Sequence, residues 1–338
     1  MTKSLLILAM DHDIHADAVH DLIKSRGYLS QRIDPELDWT DPDISESGDD
    51  WSPSAKLNWS LSERGCEASL SWHDQMINLT NVGAVFCRNF QFPQVEKDAA
   101  VDEYLRLAEM EAGLYGAMRT LDSCFWMNPP WLENIIDNKM VQGRDAARFG
   151  LNIPRTLVTN SEREARNFIE SCNDGAIIKQ LSEIGLIDDS PGEQETFGFY
   201  TSVVTDEAMK YLGEVVRAPC LFQEAITKKA DVRVTVVGKK IFAHRIWSQS
   251  KPASVTDFRR EPNLPAEAFD FPEETGNALL RLLQFWGMEF AACDFALTPD
   301  DGLVFFEANV TGNWLWLEGS ERHPILDAII EILSKHLD

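Results

Sequence analysis

Two apolar runs near the C-terminal end of the chain place the tightest constraint on its fold. Residues 290–297 and 303–308 are patterned as buried strands, and an Asp-Asp-Gly turn separates them. A turn this short pairs the strands antiparallel, which predicts that Asp294 in the first lies close to Glu307 in the second and to Asn309 directly after it. The chain therefore has to fold so that two carboxylates and an amide meet on one face of a sheet.

Such a group needs a partner, because carboxylates buried in apolar strands cost free energy unless something neutralises them. Three oxygen donors on one face suit Mg²⁺, which binds one or two carboxylates and leaves other positions to substrate phosphates. We therefore expect Asp294, Glu307 and Asn309 to hold magnesium. The alternative is that they are polar residues at strand ends, hydrogen-bonded to neighbouring loops. That alternative suits any one of them, but the metal accounts better for the three together.

Composition narrows the classes of protein. The 338 residues are 44% hydrophobic and 10% aromatic, which excludes a wholly disordered chain. The 55 acidic and 31 basic side chains give a formal net charge of −24, and a field of that sign repels phosphate backbones and anionic lipid. Neither nucleic acid nor a membrane is therefore an expected partner. A small anion such as a nucleotide stays compatible, because local cations or a metal reverse the field inside a cleft.

Targeting and cysteine signals both favour the cytoplasm. No stretch approaches 18 uninterrupted apolar residues, and the short apolar run at the N-terminus lacks a cleavage-site pattern. The six cysteines are scattered, without a Cys-x-x-Cys pair. Free thiols in a reducing compartment explain this better than disulfides or a zinc site. We expect a soluble, cytoplasmic protein.

The order of predicted elements indicates an α/β fold. A buried strand over 4–9 and a helix over 14–26 open the chain, as in domains with a parallel sheet. A double proline at 129 and 130 closes this first part. We expect an N-terminal α/β domain over 1–125, a central subdomain over 126–219 and a C-terminal subdomain over 220–338.

Three further patterns make specific structural predictions. Apolar spacing predicts a helix over 98–119, with Val101 and Leu105 on its apolar face, and a second helix over 131–149. An aromatic group near the C-terminal end is expected in the core rather than in a peptide groove: Phe305, Phe306, Trp314 and Trp316.

Two lysines and an exposed hinge form a second group of candidates. Lys139 lies in the helix over 131–149, and Lys179 lies in an apolar strand, where an ammonium has to reach an anion or extend to solvent. Gln223-Glu224-Ala225-Ile226 follows another apolar run, and the exposed backbone from Glu224 to Ile226 is suited to hydrogen-bond an adenine. Together these features fit a nucleotide with its phosphates on the two lysines. Taken singly, each lysine is better explained as a solvated charge.

Taken in chain order, these motifs resemble those of the ATP-grasp ligases. The resemblance covers residues 125–338 and rests on Asn138-Lys139, the run from Gly150 to Thr156, Ile178-Lys179, Gln223-Glu224, the run from Asp231 to Val234, Asp294-Phe295 and Glu307-Ala308-Asn309. Within the superfamily, the run from Trp126 to Pro129, Arg88 after its apolar strand and the run from Glu307 to Trp314 look like the microviridin-type peptide ligases. Those enzymes form ω-ester or ω-amide macrocycles in ribosomal peptides called graspetides.

The resemblance implies an ATP-grasp fold with an N-terminal α/β pre-domain, a central lid-like subdomain and a C-terminal subdomain that binds nucleotide and metal. It implies that ATP is bound by Lys139, Lys179, Gln223, Glu224, Ile226 and Asn309. It implies Mg²⁺ ligation by Asp294, Glu307 and Asn309. Arg233 and Arg245 are the candidates at the reacting acyl-phosphate, and Asp231 and His244 are candidates for the base.

The resemblance also implies a reaction and a partner. ATP phosphorylates an Asp or Glu side chain of a precursor peptide, and a Ser or Thr hydroxyl or a Lys amine then displaces phosphate. The peptide has a leader and an acidic core that contains Thr or Ser, and Arg217, Arg259 and Arg260 are candidates to bind it. Solvated loop charges explain these three arginines equally well.

Two other classes of function stay open. One is a ligase of the same fold that acts on a small molecule or a free amino acid. The other is a binding protein that keeps the fold without turning over nucleotide. The choice between ester and amide, the identity of the peptide, and the existence of a homodimer are open as well.

Overall fold

The computed structural model of the chain describes residues 3–34, 42–44, 51–53, 55–63, 65–72, 75–88, 90, 101–121, 124–181, 186–188, 195–197, 200–261, 263–319 and 323–338. The chain forms two compact units, one made of Met1–Leu132, Met288–Phe290 and Thr311–Asp338, the other of Glu133–Gly287 and Ala291–Val310. The threefold division at residues 125 and 219 stays a prediction.

The strands are β1 (Ser4–Leu8), β2 (Leu29–Ile33), β3 (Pro42–Ile44), β4 (Trp51–Pro53), β5 (Ala55–Ser62), β6 (Gly65–Trp72), β7 (Gln75–Asn78), β8 (Val82–Cys87), β9 (Phe125–Met127), β10 (Thr156–Thr159), β11 (Ala176–Lys179), β12 (Leu186–Asp188), β13 (Glu195–Phe197), β14 (Ser202–Val203), β15 (Cys220–Glu224), β16 (Ala230–Val237), β17 (Lys240–Ile246), β18 (Ala266–Ala268), β19 (Phe290–Leu297) and β20 (Leu303–Asn309). The α-helices are α1 (Ile14–Ser25), α2 (Val101–Arg119), α3 (Pro130–Ile136), α4 (Lys139–Arg148), α5 (Glu162–Glu170), α6 (Asp206–Met209), α7 (Glu273–Trp286) and α8 (Pro324–Ser334). Within the described ranges, no helix is long and apolar enough to cross a membrane.

A parallel sheet in the order β2-β1-β8-β9 forms the centre of the first unit. The side chains of β1 and β8 are buried along both strands, as their almost continuous apolar sequences require. Helix α1 begins after Asp13, whose carboxylate accepts hydrogen bonds from the backbone N–H groups of His15 and Ala16. It ends before Gly27, which adopts a φ of +88°. The predicted strand–helix opening is confirmed.

Helix α2 packs beside the antiparallel sheet β5-β6-β7, and the two share one hydrophobic cluster. The predicted helix is confirmed over 101–119, but its predicted apolar face is wrong. Val101 and Leu105 are exposed, whereas Leu107, Leu114 and Met118 are buried. The stripe that meets the sheet is therefore on a different face of the helix from the predicted one.

Arg88 joins distant segments of the first unit. Its side chain is 2% exposed, and its Nε donates to Asp13 Oδ2 at 3.0 Å. The two terminal nitrogens donate to the backbone oxygen of Gly312 at 3.2 Å and to Asn313 Oδ1 at 3.0 Å. One buried guanidinium thus ties the ends of β1 and β8 to the chain segment that enters the unit at residue 311.

Two antiparallel sheets form the second unit, in the orders β10-β15-β11-β14 and β18-β17-β16-β19-β20. The turn between β16 and β17 contains Gly238 with a φ of +59°. Helix α7 packs on one face of the five-stranded sheet, so closely that a Cβ on Gly276 would lie 3.0 Å from Ile241. The opposite face of that sheet carries the polar residues described below.

The single helix predicted over 131–149 is in fact two helices. Helix α3 ends at Ile136, and α4 begins at Lys139. Between them Asn138 has an extended backbone, and its Oδ1 accepts hydrogen bonds from two backbone N–H groups in the first turn of α4. This N-cap makes Lys139 the first residue of a helix rather than one in its middle.

Candidate active site

Strands β19 and β20 bring the predicted magnesium ligands together. Asp294 lies directly opposite Glu307 in the antiparallel register, and Asn309 is two residues further along β20. Side chains two residues apart on a strand share a face. The two carboxylates and the amide therefore project from the same face of the five-stranded sheet.

A β-bulge beside this pair brings an aromatic ring to the site. Past the Asp294–Glu307 pair the register shifts so that Phe295 lies opposite Phe305, which makes Phe306 an extra residue in β20. Phe305 is 1% exposed and packs against Phe295, with ring centroids 5.4 Å apart. Phe306 instead lines the cavities beside Glu307.

The predicted core position of the four C-terminal aromatic residues is therefore right for Phe305 and Trp314, and wrong for Phe306 and Trp316. Trp314 is fully buried, whereas Trp316 is 48% exposed. Alternation counted from Glu307 would have put Phe306 on the core face, but as the extra residue of the bulge it lines the cavities beside Glu307, while Phe305 is in the core.

Cations surround the two carboxylates. Arg233 Nη1 on β16 lies 3.0 and 2.9 Å from the two oxygens of Asp294, and Lys139 Nζ lies 3.9 Å from Glu307 Oε2. Burial raises the pKa of Asp294, and the charge of Arg233 offsets this only in part. Burial acts in the same direction on Glu307, but Lys179 and Lys139 outweigh it and hold the pKa of that carboxyl below its ordinary value. The surrounding cations therefore act more strongly on Glu307 than on Asp294.

Lys139 occupies a position that favours an anion nearby. As the first residue of α4 it lies at the positive end of the helix dipole, where a cation is unfavourable without negative charge close by. Glu307 supplies such a charge in this structure. A bound phosphate would supply a larger one, which agrees with the phosphate role predicted for Lys139.

Lys179 ends β11 and extends over the ring of Phe306, with Nζ 4.9 Å from the ring centroid. Lys228 approaches the same ring, with Nζ 5.7 Å from the centroid. Burial lowers the pKa of Lys179, and Glu307 opposes that shift. The ring gives both ammonium groups a favourable apolar neighbour in place of water.

Two adjoining cavities open on this cluster. The first, of about 320 Å³, is lined in part by Ile177, Lys179, Ile226, Asp231, Asp294 and Glu307. The second, of about 370 Å³, is lined in part by Lys139, Thr156, Val158, Leu221 and Gln223. Both include Lys179, Phe306 and Glu307 in their walls. Their mixed apolar and charged linings and their volumes are those of small-molecule sites.

The predicted hinge residues divide between these cavities. Ile226 lines the first, and its predicted contact with adenine stays a prediction. Gln223 lines the second, and its Nε2 donates to Thr156 Oγ1 at 3.0 Å. Glu224 lines neither of the two, and its backbone N–H donates to the oxygen of Arg155 at 2.9 Å.

Asp231 lies in the first cavity, and Arg245 does not. The Asp231 carboxylate accepts a hydrogen bond from Lys228 Nζ at 2.7 Å, and burial raises its pKa. Arg245 is paired across the hairpin with Val232, next to Arg233, so it projects from the opposite face of the sheet. Its guanidinium bonds to Glu267 and lies 4.5 Å from the ring of Trp247.

The same hairpin pairs His244 with Arg233, and burial lowers the pKa of this histidine. The roles predicted for Asp231, Arg245 and His244 stay predictions. Of the two arginines predicted at the acyl-phosphate, the structure brings Arg233 to the carboxylates and leaves Arg245 on the other face.

The three arginines predicted to bind peptide occupy different places. Arg217 ends a 3₁₀ turn, is highly exposed and pairs with Glu214 at 2.8 Å. Arg259 lines the first cavity and is held by Asp257. Arg260 donates to the backbone oxygen of Thr201 at 3.2 Å.

Gln142 on α4 is a site residue that carries no sequence signal. Its Nε2 donates to the backbone oxygen of Ala308 at 2.9 Å, and its Oε1 accepts from the backbone nitrogen of Ala308 at 2.8 Å. Ala308 lies between Glu307 and Asn309, so this amide occupies the place of a neighbouring strand along the outer edge of β20. A glutamine in a helix gives no hint of such a contact, and the position of Phe306 follows from a bulge that only the pairing of the two strands reveals.

The donor set fits magnesium. Among the residues that the structure describes, no three His, Cys, Asp or Glu side chains group as a metal site. The set is therefore two carboxylates, Asp294 and Glu307, with the amide of Asn309. A few hard oxygen donors beside a cavity suit Mg²⁺, because substrate phosphates complete its shell, whereas zinc favours nitrogen and sulfur ligands.

Solved structures resemble the chain over almost its whole length. The macrocyclase MdnC of Microcystis aeruginosa MRC, bound with precursor peptide MdnA, is 26% identical over 98% of this chain and 99% of its own, with a TM-score of 0.81. The RiPP-associated ATP-grasp ligase of Chryseobacterium gregarium, in complex with ADP and a leader and core peptide, is 23% identical over 98% and 97%, with a TM-score of 0.83. The ATP-grasp ligase PsnB, complexed with a precursor variant, Mg and ADP, is 18% identical over 100% of both chains, with a TM-score of 0.71. No protein-family model and no curated protein sequence matches.

Over almost its whole length the chain is similar to ATP-grasp ligases, and the mixed α/β fold predicted from the sequence is confirmed. Within that class the chain resembles the macrocyclases of ribosomal peptides, as its motifs predicted.

Proposed function

We propose that this protein is an ATP-dependent ligase that macrocyclises a ribosomal precursor peptide by joining Asp or Glu side chains to Thr or Ser hydroxyls or Lys amines. One observation carries the proposal. On a chain that matches a macrocyclase end to end, Asp294 and Glu307 face each other beside a cavity of nucleotide-site volume, with Lys139, Lys179 and Arg233 around them.

The reaction has two steps. A carboxylate oxygen of the peptide attacks the γ-phosphorus of ATP. The bond between the γ-phosphorus and the β-phosphate oxygen breaks, so ADP is released and the peptide carries an acyl-phosphate. The hydroxyl or amine then attacks the acyl carbon, its proton passes to a base, and phosphate leaves. Carboxylate is a poor electrophile, so the phosphoryl group provides the leaving group that it lacks.

The residues of the site supply position and charge. Lys139 and Lys179 bind the phosphates of ATP. Ile226 contacts the adenine in the first cavity, whose wall includes Phe306. Asp294, Glu307 and Asn309 would hold Mg²⁺, which neutralises charge on the phosphate oxygens when it is bound. Fixed charges of this kind lower the barrier because they need no reorganisation during the reaction.

The test is to incubate the protein with the precursor peptide encoded beside it, ATP and Mg²⁺, and to follow ADP release and peptide mass. Loss of one water mass per ring is expected, and mild alkaline hydrolysis separates ester from amide links. A peptide whose core Asp and Glu are replaced by Asn and Gln is the matched control, because it lacks the electrophile. Turnover with free amino acids and none with the peptide would favour the small-molecule ligase instead. A chain that binds ATP without any turnover would be a binding protein.

The proposal extends to the partner and the compartment. The expected precursor peptide has a leader and an acidic core that contains Thr or Ser. The core supplies both reacting groups, the carboxylate and the hydroxyl. We place the reaction in the cytoplasm, since all six cysteines are free thiols, as in reducing compartments. Sedimentation of the purified protein separates a monomer from the homodimer that the sequence left open.

A further inference from the structure

The segment after β17 forms a wall of the first cavity. It contains three single turns of 3₁₀ helix, at Ser248–Ser250, Pro252–Ser254 and Phe258–Arg260. Ser254 is fully buried, and its hydroxyl donates to the oxygen of Ser248 at 2.7 Å, so the segment packs on itself. Its end, from 255 to 259, lies against the cavity together with Asp294 and Glu307.

Asp257 is the buried centre of this wall, at 6% exposure. Its Oδ1 accepts from the backbone nitrogen of Arg259 at 3.1 Å and from Arg259 Nε at 2.9 Å. Its Oδ2 accepts from Arg259 Nη2 at 2.7 Å and from the backbone nitrogen of Thr201 at 3.3 Å. Four donors on one carboxylate fix the plane of the Arg259 guanidinium.

The two side-chain hydrogen bonds to Asp257 leave the other edge of the Arg259 guanidinium for a ligand. These bonds use the Nε and Nη2 nitrogens of Arg259, so Nη1 is on the side of the guanidinium turned away from Asp257. The side chain is half exposed, lines the cavity and is close enough to Glu307 and Asp294 for their charges to help raise its pKa. A guanidinium so placed offers a permanent positive charge beside the carboxylates that face the phosphates.

Arg260, in the same wall, contacts Thr201 and Tyr200 rather than Asp257. It donates to the oxygen of Thr201 at 3.2 Å, and its guanidinium lies 4.8 Å from the ring centroid of Tyr200. The backbone nitrogen and oxygen of Thr201 are thus both bonded to this segment, one through Asp257 and one through Arg260. These contacts join the wall to the strand that starts at Ser202, across the cavity from the five-stranded sheet.

We propose that Arg259 contacts the phosphoryl group during its transfer from ATP to the peptide carboxylate, and that Asp257 is the positioning residue that aims it. This inference rests on the proposed function, because it names a contact in that reaction. The P–O bond to ADP breaks as the P–O bond to the carboxylate forms, and Arg259 stays protonated throughout. Its charge meets the negative charge on the phosphoryl oxygens, and no proton is exchanged.

The first experiment separates binding from transfer. In Arg259→Gln, single-turnover formation of the acyl-phosphate, trapped with hydroxylamine as the hydroxamate, should fall about 10²-fold, the loss seen when one charge-stabilising donor is removed. ATP affinity, measured by calorimetry, should change much less, because Lys139 and Lys179 remain. Arg163→Gln is the matched control, since Arg163 is exposed on α5 and pairs with its neighbour Glu164. Hydroxamate formed by Arg259→Gln at the wild-type rate would overturn the proposal.

The second experiment tests positioning. Asp257→Asn keeps the size of the side chain and removes the charge that grips Arg259, so transfer should slow while ATP affinity holds. Asp257→Glu should restore part of the rate, which a purely structural residue would not require. Added guanidinium ion should speed transfer in Arg259→Ala and not in Arg163→Ala. Equal transfer rates in Asp257→Asn and the wild type, or no rescue by guanidinium, count against the inference. If the wild type itself gives no hydroxamate with the peptide, the proposed function has failed instead.

Discussion

At the scale of single residues, the site is a local reversal of the protein's charge. The chain as a whole carries −24, yet three cations, Arg233, Lys139 and Lys179, face the two carboxylates Asp294 and Glu307. The Asp231–Lys228 and Asp257–Arg259 pairs beside them are neutral as pairs. An anion such as a nucleotide would therefore meet local positive charge here, and local cations of this kind allow an acidic protein to bind an anion.

Glu307 is the residue whose charge the site depends on most. Glu307→Gln should abolish ADP formation, with a loss of at least about 10²-fold, because a neutral amide no longer balances Lys139 and Lys179 or binds a divalent cation well. Thermal unfolding should stay close to that of the wild type, since the amide keeps the shape of the side chain. ADP release is measured with peptide and Mg²⁺ at saturation. Undiminished ATPase activity in this variant would defeat the metal assignment.

Lys179 is predicted to strengthen the binding of ATP. Lys179→Met keeps an unbranched apolar stem over Phe306 and removes the ammonium, so the Kd for ATP should rise by about tenfold or more, as expected for the loss of a charged contact. Lys210→Met is the matched control, because Lys210 is exposed and pairs with Glu207 on the surface. Calorimetric titration with a non-hydrolysable ATP analogue gives both values. An unchanged affinity in the first variant would remove Lys179 from the phosphate site.

At the scale of elements, the strands were predictable because their periods are short and their turns local. The Asp-Asp-Gly turn was enough to predict that Asp294 lies close to Glu307, which the structure confirms, whereas the bulge at Phe306 sets the two directly opposite each other. The register of the β16–β17 hairpin also predicts the face on which Arg245 lies, which the order of the motifs does not. A tight turn at Gly238 pairs Val232 with Arg245, so the sequence could have placed Arg245 on the face opposite Arg233.

Helix faces and helix breaks depend on partners that the sequence does not name. In α2, Val101 and Leu105 have helical spacing, but so do Leu107, Leu114 and Met118, and only the sheet beside the helix selects the second stripe. The break before Lys139 follows from a side-chain cap at Asn138 within a pattern that is otherwise continuous. The bulge at Phe306 likewise follows from pairing across two strands rather than from local sequence.

The edge of β20 gives a prediction about an element. Gln142→Leu should leave the buried N–H and C=O of Ala308 without their amide partners, lowering the free energy of unfolding by about 1–3 kcal/mol for each group left unpaired. The Mg²⁺ concentration needed for half-maximal activity should also rise, because Glu307 and Asn309 flank Ala308. Urea unfolding and a Mg²⁺ titration measure the two effects. The matched control is Gln284→Leu at an exposed position of α7; an equal effect there would show that the amide contact adds nothing.

At the scale of the whole molecule, the two units use buried polar groups differently. In the second unit the buried charges Asp231 and Asp294 line a cavity, and Asp294 pairs with Arg233. In the first unit Arg88 is bonded to Asp13, Gly312 and Asn313 and is almost inaccessible, so its role is to hold segments distant in sequence. Mutation of Arg88 is therefore expected to act through folding and mutation of Arg233 through chemistry, although both are buried arginines.

The first unit should lose stability in mild acid through His15. This ring is buried against Trp314, with centroids 5.0 Å apart, and burial, then the charge of Arg88, lowers its pKa from 6.5 to about 4. Between those values the unfolded chain takes up a proton at His15 and the folded chain does not, so the free energy of unfolding must fall as the pH falls. His15→Phe keeps a ring against Trp314 and should flatten this part of the pH dependence. Hydrogen exchange of the α1 amides, followed across the window, measures it, with His12→Phe at an exposed position as control. A slope in His15→Phe as steep as that of the wild type would show that His15 takes up its proton in the folded state as readily as in the unfolded chain.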